Sequence, residues 1–270
     1  MVRGAAVVSA LAVLPAALPA AAPARHVGQP VLRSAAAVFL VRGEHVAPVR
    51  RVGAHTPAVA RAAVSALLRG PTASERKDGY SSAIPARTGL GSISVSRGVA
   101  TVDFSSRFEL GGGSLSMQLR VAQVVYTLTQ FPSVGRVAFR LDGRPVEWIG
   151  GEGISVSPPV GRADFEAQTP PILVEQPLPG APVGASILVR GTANVFEARL
   201  VVDLVTPSGV LLARRNLLAT AGTGTRGRFS TRLSVPPELT RLVIVAYAHS
   251  PKNGARIDVV RIPVVVPLAS

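Results

Sequence analysis

The stretch Gly111–Phe131, GGGSLSMQLRVAQVVYTLTQF, decides how the first half of the chain folds. Three consecutive glycines free the backbone to turn. Ser114 then stands where a helix N-cap is wanted, its hydroxyl placed to accept from an orphan N–H of the first turn. Apolar or small residues recur at Leu115, Leu119, Ala122, Tyr126 and Thr129, widened by Met117, Val121, Val124, Val125 and Leu128. This period predicts a helix with a broad buried face, and its single charge is Arg120. A glycine-rich entrance to a helix can also receive an anion, so Gly111, Gly112, Gly113 and Ser114 are the candidate contact for an anion or a partner. The run has neither the GK[ST] ending of a P-loop nor GxGxxG after a parallel strand, and a flexible turn plus N-cap is the favoured account of it.

On the N-terminal side, the apolar run Ala36–Val41 bounded by Arg42-Gly43 predicts a buried strand, and His45–Val52 a weaker returning one. Thr56-Pro57 predicts a helix start, with Val59, Ala62, Ala63, Ala66 and Leu67 on one face and Gly70-Pro71 as the stop. Residues 72–91 read as a long surface connection. Strict alternation in ISVSRGVATVDF predicts a hairpin with Arg97-Gly98 at its tip. After the helix of the opening stretch, Arg136–Leu141, Asp142-Gly143 and Arg144–Trp148 predict a second hairpin. The order is strand, helix, two strands, helix, strand, an α+β domain over residues 36–149 with two helices on one face of a small sheet.

Residues 150–170 are rich in Gly and Pro and read as a linker. Beyond them the helical period is lost. Short alternations at 172–174, 186–190, 198–205, 210–213, 228–235, 241–249 and 256–266, separated by turn residues, predict an all-β sandwich over 171–268. Phe196, Phe229 and Tyr247 are its expected inter-sheet packing residues.

At the start of the chain, Arg3, the apolar Ala5–Leu18 and the small-x-small Ala22-Pro23-Ala24 predict a signal peptide over 1–24, followed by a lead segment over 25–35. Membrane contact is expected only if that segment is retained, since Pro15 and Pro19 interrupt it and it is short of the ~20 residues of a spanning helix. The chain has no cysteine, which excludes disulfides, thiolate chemistry and lipidation at the signal junction. Hydrophobic residues make up 47% and charged residues 16%, which excludes a solvated disordered chain. The formal charge of +14 is nearly all arginine, spread along the sequence rather than run together, so no nucleic-acid partner is expected.

Four segments resemble the GerMN domain of sporulation and spore germination proteins. They are LLRGPTASE (67–75), AIPARTGL (83–90), GVATVDFSSRF (98–108) and GGGSLSMQLRVAQVVYTLTQFPSVGRVAF (111–139). PPILVEQPLPGAPVGASILVRGTANVFEARLVVDLVTPSGVLLA (170–213), with GTRGRFSTRLSV (224–235) and RIDVVRIPVVV (256–266), is similar to the immunoglobulin-like domain of bacterial spore germination. The first resemblance implies a ring-building-type α+β fold, an extracytoplasmic location in sporulating or actinobacterial cells, and envelope assembly rather than catalysis. The second implies an immunoglobulin-like sandwich. Its bearers are often lipoproteins, and without a cysteine this chain is not expected to be one.

No catalytic constellation is found. His26, His45, His55 and His249 show no HxH, HExxH or HxxxH spacing, and no GxSxG elbow is present, so no metal, cofactor or catalytic residue is expected. Asp103 and Glu109 read as polar residues at a strand-to-helix corner rather than an acid-base pair. Two functions remain open. One is a non-enzymatic exported cell-envelope scaffold that assembles with itself or with envelope proteins. The other is a binding module for an anionic cell-wall polymer.

Overall fold

The apolar run at Ala36–Val41 forms the middle of β1 (Arg33–Arg42), with Ala37–Val41 buried on both faces. The computed structural model describes Met1 and residues 33–151, 153–236 and 238–267. The expected signal peptide and all but the end of the lead segment lie outside the described residues. Residues 33–35, expected in the lead, already belong to β1.

β1 pairs antiparallel along its full length with β2 (His45–Ala54). α1 (Val59–Leu68) starts two residues later than Thr56-Pro57 suggests: Ala58 is the N-cap, and Thr56 Oγ1 accepts from its N–H at 3.1 Å. The expected surface connection 72–91 is structured instead. Thr72 and Glu75 close a reciprocal capping box that starts α2 (Ala73–Lys77), and Glu75 also accepts from Arg51 of β2. β3 (Tyr80–Ser81) then pairs with the end of β1, and Ile84 joins the core.

β4 (Leu90–Ser96) and β5 (Val99–Phe104) are the expected hairpin, with Arg97 and Gly98 both at positive φ in the tip. α3 (Ser114–Leu128) leads to β6 (Arg136–Leu141), parallel to β5, and β7 (Arg144–Pro145) turns back through Asp142-Gly143. The strands therefore lie in two sheets, β2-β1-β3 and β4-β5-β6-β7, rather than one. α1 and α3 pack on each other and on β1, which puts α3 at the centre of the first core. β8 (Trp148–Ile149) and β9 (Ile154–Ser155) close the domain as a small hairpin.

From Leu119 to Leu128 every residue of α3 is buried, polar ones included. The reason is the edge of β1. β3 covers only two residues of it, so the N–H and C=O groups of Ala37 and Phe39 need other partners. Gln123 and Thr127, one turn apart on the same side of α3, and Gln130 just past its C-terminal end supply them. Gln123 Nε2 donates to Phe39 O (3.0 Å), Phe39 N to Thr127 Oγ1 (3.1 Å), and Gln130 both accepts from Ala37 N (2.8 Å) and donates to Ala37 O (2.7 Å). A helix side-chain ladder thus stands in for a missing strand.

The second domain is the expected immunoglobulin-like sandwich. A three-stranded sheet has the order β10 (Ile172–Gln176), β12 (Ser186–Ala193), β15 (Gly227–Ser234). It faces a five-stranded sheet of order β11 (Ala181–Pro182), β17 (Arg256–Val265), β16 (Arg241–His249), β13 (Arg199–Val205), β14 (Leu211–Leu218). Phe229 packs between the sheets as expected, but Phe196 is exposed. Tyr247 is buried on the opposite face of its sheet, because Ala246 and Ala248 point inward and period two turns Tyr247 outward. There it donates to Asp203 (3.2 Å) and lies under the Arg256 guanidinium.

Candidate functional site

The glycine entrance of α3 is built around Arg120. This side chain is 2% exposed and ends on four backbone carbonyls, those of Ala83, Phe108, Leu110 and Gly111. No carboxylate lies within ion-pair distance among the described residues; carbonyl dipoles take that place. Burial holds its pKa below the ordinary arginine value. The chain can turn its carbonyls onto one guanidinium because Gly111 and Gly112 adopt φ of 65° and 87°. A Cβ on Gly112 would also lie 2.7 Å from Ser116 Oγ. Ser114, expected as the N-cap, is instead the first helical residue; Gly113 occupies the cap position. Large apolar side chains face outward on either side of these glycines, Leu110 (57% exposed) and Leu115 (42%), and Trp148 (58%) does so in the hairpin that contacts α3. Trp148 starts the hairpin whose turn and second strand reach the helix: Gly150 lies against the Met117 side chain of the first turn, and β9 contacts α3.

Residues 150–170, expected as a linker, are packed. Val156, Val160 and Phe165 enter the first core, and Arg162–Gln168 forms a 3-10 segment kinked at Phe165. This segment is held from both sides. Toward the first domain, Arg162 Nε donates to Thr129 Oγ1 (2.8 Å), Gln168 Nε2 to Gln118 Oε1 (2.7 Å), and Thr169 shares a hydrogen bond with the Tyr126 hydroxyl. The Arg162 guanidinium also lies over the Tyr126 ring. Toward the second domain, Arg162 pairs with Glu175, and Arg226 donates to both Glu166 oxygens and to Pro170 O (2.9 Å). Asn194 adds a bond to Glu166 at 2.8 Å. Burial pushes the Glu166 pKa upward, but the bonds from Arg226 and Asn194 and the Arg226 charge outweigh it, leaving the carboxyl below its ordinary value.

A bulge in β10 between Val174 and Gln176 breaks the register at Glu175, which reaches Arg162. The outward residue before it, Leu173, belongs to the first core although its strand belongs to the second domain. The clamp therefore continues as shared apolar packing.

The clamp forms one wall of a groove of about 1190 Å³ whose floor is the outer face of β12 and β15. On that floor the ladder sets Arg190 opposite Ser230 and Thr192 opposite Arg228. Arg190 and Arg228 are exposed and have no ion-pair partner among the described residues, whereas Arg162 and Arg226 are each engaged by a carboxylate. Sequence reading missed this grouping. The outward alternation Arg190-x-Thr192 and Arg228-x-Ser230 was visible, but not the register that brings the two strands together.

Elsewhere the titratable groups brace turns. Asp103 accepts from Gly143 N (2.9 Å), and His249 Nδ1 bonds Gly254 O (2.8 Å). No group of three metal-ligating side chains occurs among the described residues, and no described helix is long and apolar enough to cross a membrane.

Comparison with known proteins finds a family match for each domain. Residues 37–147 match the family model described as sporulation and spore germination, and residues 171–255 match that of the immunoglobulin-like domain of bacterial spore germination. Among solved structures, the first GerMN domain of the sporulation protein GerM from Bacillus subtilis is 24% identical, with 48% of this chain and 98% of that chain covered and a TM-score of 0.40. The tandem GerMN domains of the same protein are 20% identical over 75% of this chain and 62% of that one, with a TM-score of 0.44. No curated protein matches. Residues 37–147 are thus a GerMN-type domain of the sporulation and spore germination family, followed at 171–255 by an immunoglobulin-like domain of bacterial spore germination.

Proposed function

We propose that this protein is a non-enzymatic, exported cell-envelope component that works as an assembly or interaction scaffold of the GerMN type. The observation that carries this reading is the exposure of Leu110 and Leu115 beside the glycine corner of α3 and of Trp148 in the hairpin that contacts the helix. Large exposed apolar side chains beside a backbone corner suit a protein contact. Gly111, Gly112, Gly113 and Ser114 then act as the backbone rim of a partner contact, either with an envelope protein or with a second copy. Export is supported by the n-region, apolar stretch and cleavage motif over residues 1–24, and the absence of cysteine argues against a lipid anchor.

Cross-linking of the exported form on intact cells, with and without Leu115→Ser and Trp148→Ser, tests the scaffold. The expected result is a discrete cross-linked species that the double variant loses while keeping its melting temperature. A protein that stays monomeric at high concentration and cross-links to nothing would refute it. The second reading, a module for an anionic cell-wall polymer, draws support from the unpaired arginines on β12 and β15.

A further inference from the structure

The two outward positions in the middle of the β12–β15 ladder repeat one chemical unit. Arg190 stands across from Ser230, and one step along, Arg228 stands across from Thr192. Each unit places a guanidinium and a hydroxyl within ordinary cross-strand reach of each other, about 5 Å between Cβ atoms. The two units are one strand repeat apart, roughly 7 Å. Leu188 and Arg232 form the next outward pair, so the positive row runs on past the groove.

Neighbouring groups hold this row open. Arg162 and Arg226 are occupied by Glu175 and Glu166, so the groove's own carboxylates are spent on the clamp and do not neutralise Arg190 or Arg228. Thr192 Oγ1 accepts from Arg226 Nη1 at 3.3 Å, which orients its hydroxyl hydrogen away from Arg226 and leaves it free to donate.

We propose that this groove binds a linear phosphate-bearing polymer, with successive phosphates seated on the Arg190–Ser230 and Arg228–Thr192 pairs. A guanidinium fork matches the two non-bridging oxygens of a phosphodiester, and the hydroxyl across the ladder donates to a remaining lone pair of one of them. A carboxylate can also accept from fork and hydroxyl together, but only with both donors near its own plane, whereas the tetrahedral phosphate receives a hydroxyl that approaches from the neighbouring strand, out of the plane of the fork. No exposed aromatic ring lies in the groove, since Tyr126 and Phe229 are both buried, so stacking of nucleobases has no platform there. The polymer is therefore one without bases. This proposal rests on the polymer-binding reading and stands apart from the scaffold one: the two surfaces belong to different elements, and loss of one leaves the other intact.

The test is equilibrium binding of the full chain to fluorescent poly(glycerol phosphate) across a salt series. The expected result is binding that Arg190→Gln with Arg228→Gln weakens by roughly tenfold or more, with the slope of log K against log salt shallower by about 1.4, the release expected for two lost phosphate contacts on a single chain. Both residues are exposed, and an unchanged melting temperature shows that the fold is kept. Arg107→Gln with Arg144→Gln removes the same charge from exposed positions elsewhere and should leave binding nearly unchanged. Absence of binding at low salt, an equal loss in the control pair, or undiminished binding by the Arg190/Arg228 variant would overturn the proposal. Equally tight binding of polyglutamate of matched length, or of a single-stranded oligonucleotide, would overturn its assignment to a base-free phosphate chain.

Discussion

Arg226 and Glu166 meet as a two-pronged pair, Nε to Oε2 at 2.8 Å and Nη2 to Oε1 at 3.0 Å, with one residue in the segment leaving the first domain and the other at the entrance to β15. Arg226 is well buried and Glu166 only half so. The fork geometry makes the pair stronger than an ordinary surface ion pair, and the exposed side of Glu166 keeps it below a buried one. Arg226→Ala strands Glu166 and the Pro170 carbonyl, and the expected cost is about 1–2 kcal/mol, read as a lower midpoint in urea. A midpoint equal to wild type would remove Arg226 from the clamp.

The same pair sets a pH dependence. Glu166 is held below its ordinary pKa in the folded chain, so its contribution is full above the ordinary glutamate value and is lost as pH falls through the depressed one. Glu75 is depressed as well, chiefly by the hydrogen bond from Arg51, and loses its contribution in the same direction. Melting temperature should therefore fall between pH 5 and the acid side of both groups, and less steeply in Glu166→Gln. Identical acid slopes in the two proteins would contradict the role given to Glu166.

Arg120 should tolerate no replacement. Arg120→Leu removes the guanidinium and leaves four carbonyls without their donor, costing about 3 kcal/mol or more, and Arg120→Lys recovers only part because one ammonium cannot span them. Gly112→Ala places a side chain at φ of 87° against Ser116 and should cost about 1–2 kcal/mol. Denaturant midpoints check all three; a fully stable Arg120→Leu would mean that water satisfies the carbonyls.

Thr127→Val probes the helix ladder on β1. It preserves shape and removes only the acceptor for Phe39 N, so a loss of about 1–2 kcal/mol is expected. The Phe39 amide should exchange with solvent markedly faster, and unchanged protection there would mean that the β1 edge does not depend on the helix.

Much of the fold was legible because its elements announce themselves locally. ISVSRGVATVDF carries its own period and its own turn, and the second domain repeats that pattern strand by strand. α2 was missed although Thr72-x-x-Glu75 is a capping box, because few apolar residues around it mark the segment as packed. The 150–170 segment was hidden by its glycines and prolines, which mask Val156, Val160 and Phe165. Its decisive partner, Arg226, lies 60 residues away. Arg190 and Arg228 become neighbours only through the β12–β15 register, which strand patterns alone do not specify. Arg120 was visible as the lone charge of its helix, whereas the carbonyls it gathers come from loops whose paths follow from tertiary packing.

Backbone 15N relaxation tests most directly whether the Arg162–Glu175 segment makes one body of the two domains. The clamp predicts that amides within 37–147 and within 171–255 report one common rotational correlation time, that of a particle containing both. Two distinct, shorter correlation times in the wild-type chain would mean that the domains tumble independently, and the clamp would be wrong.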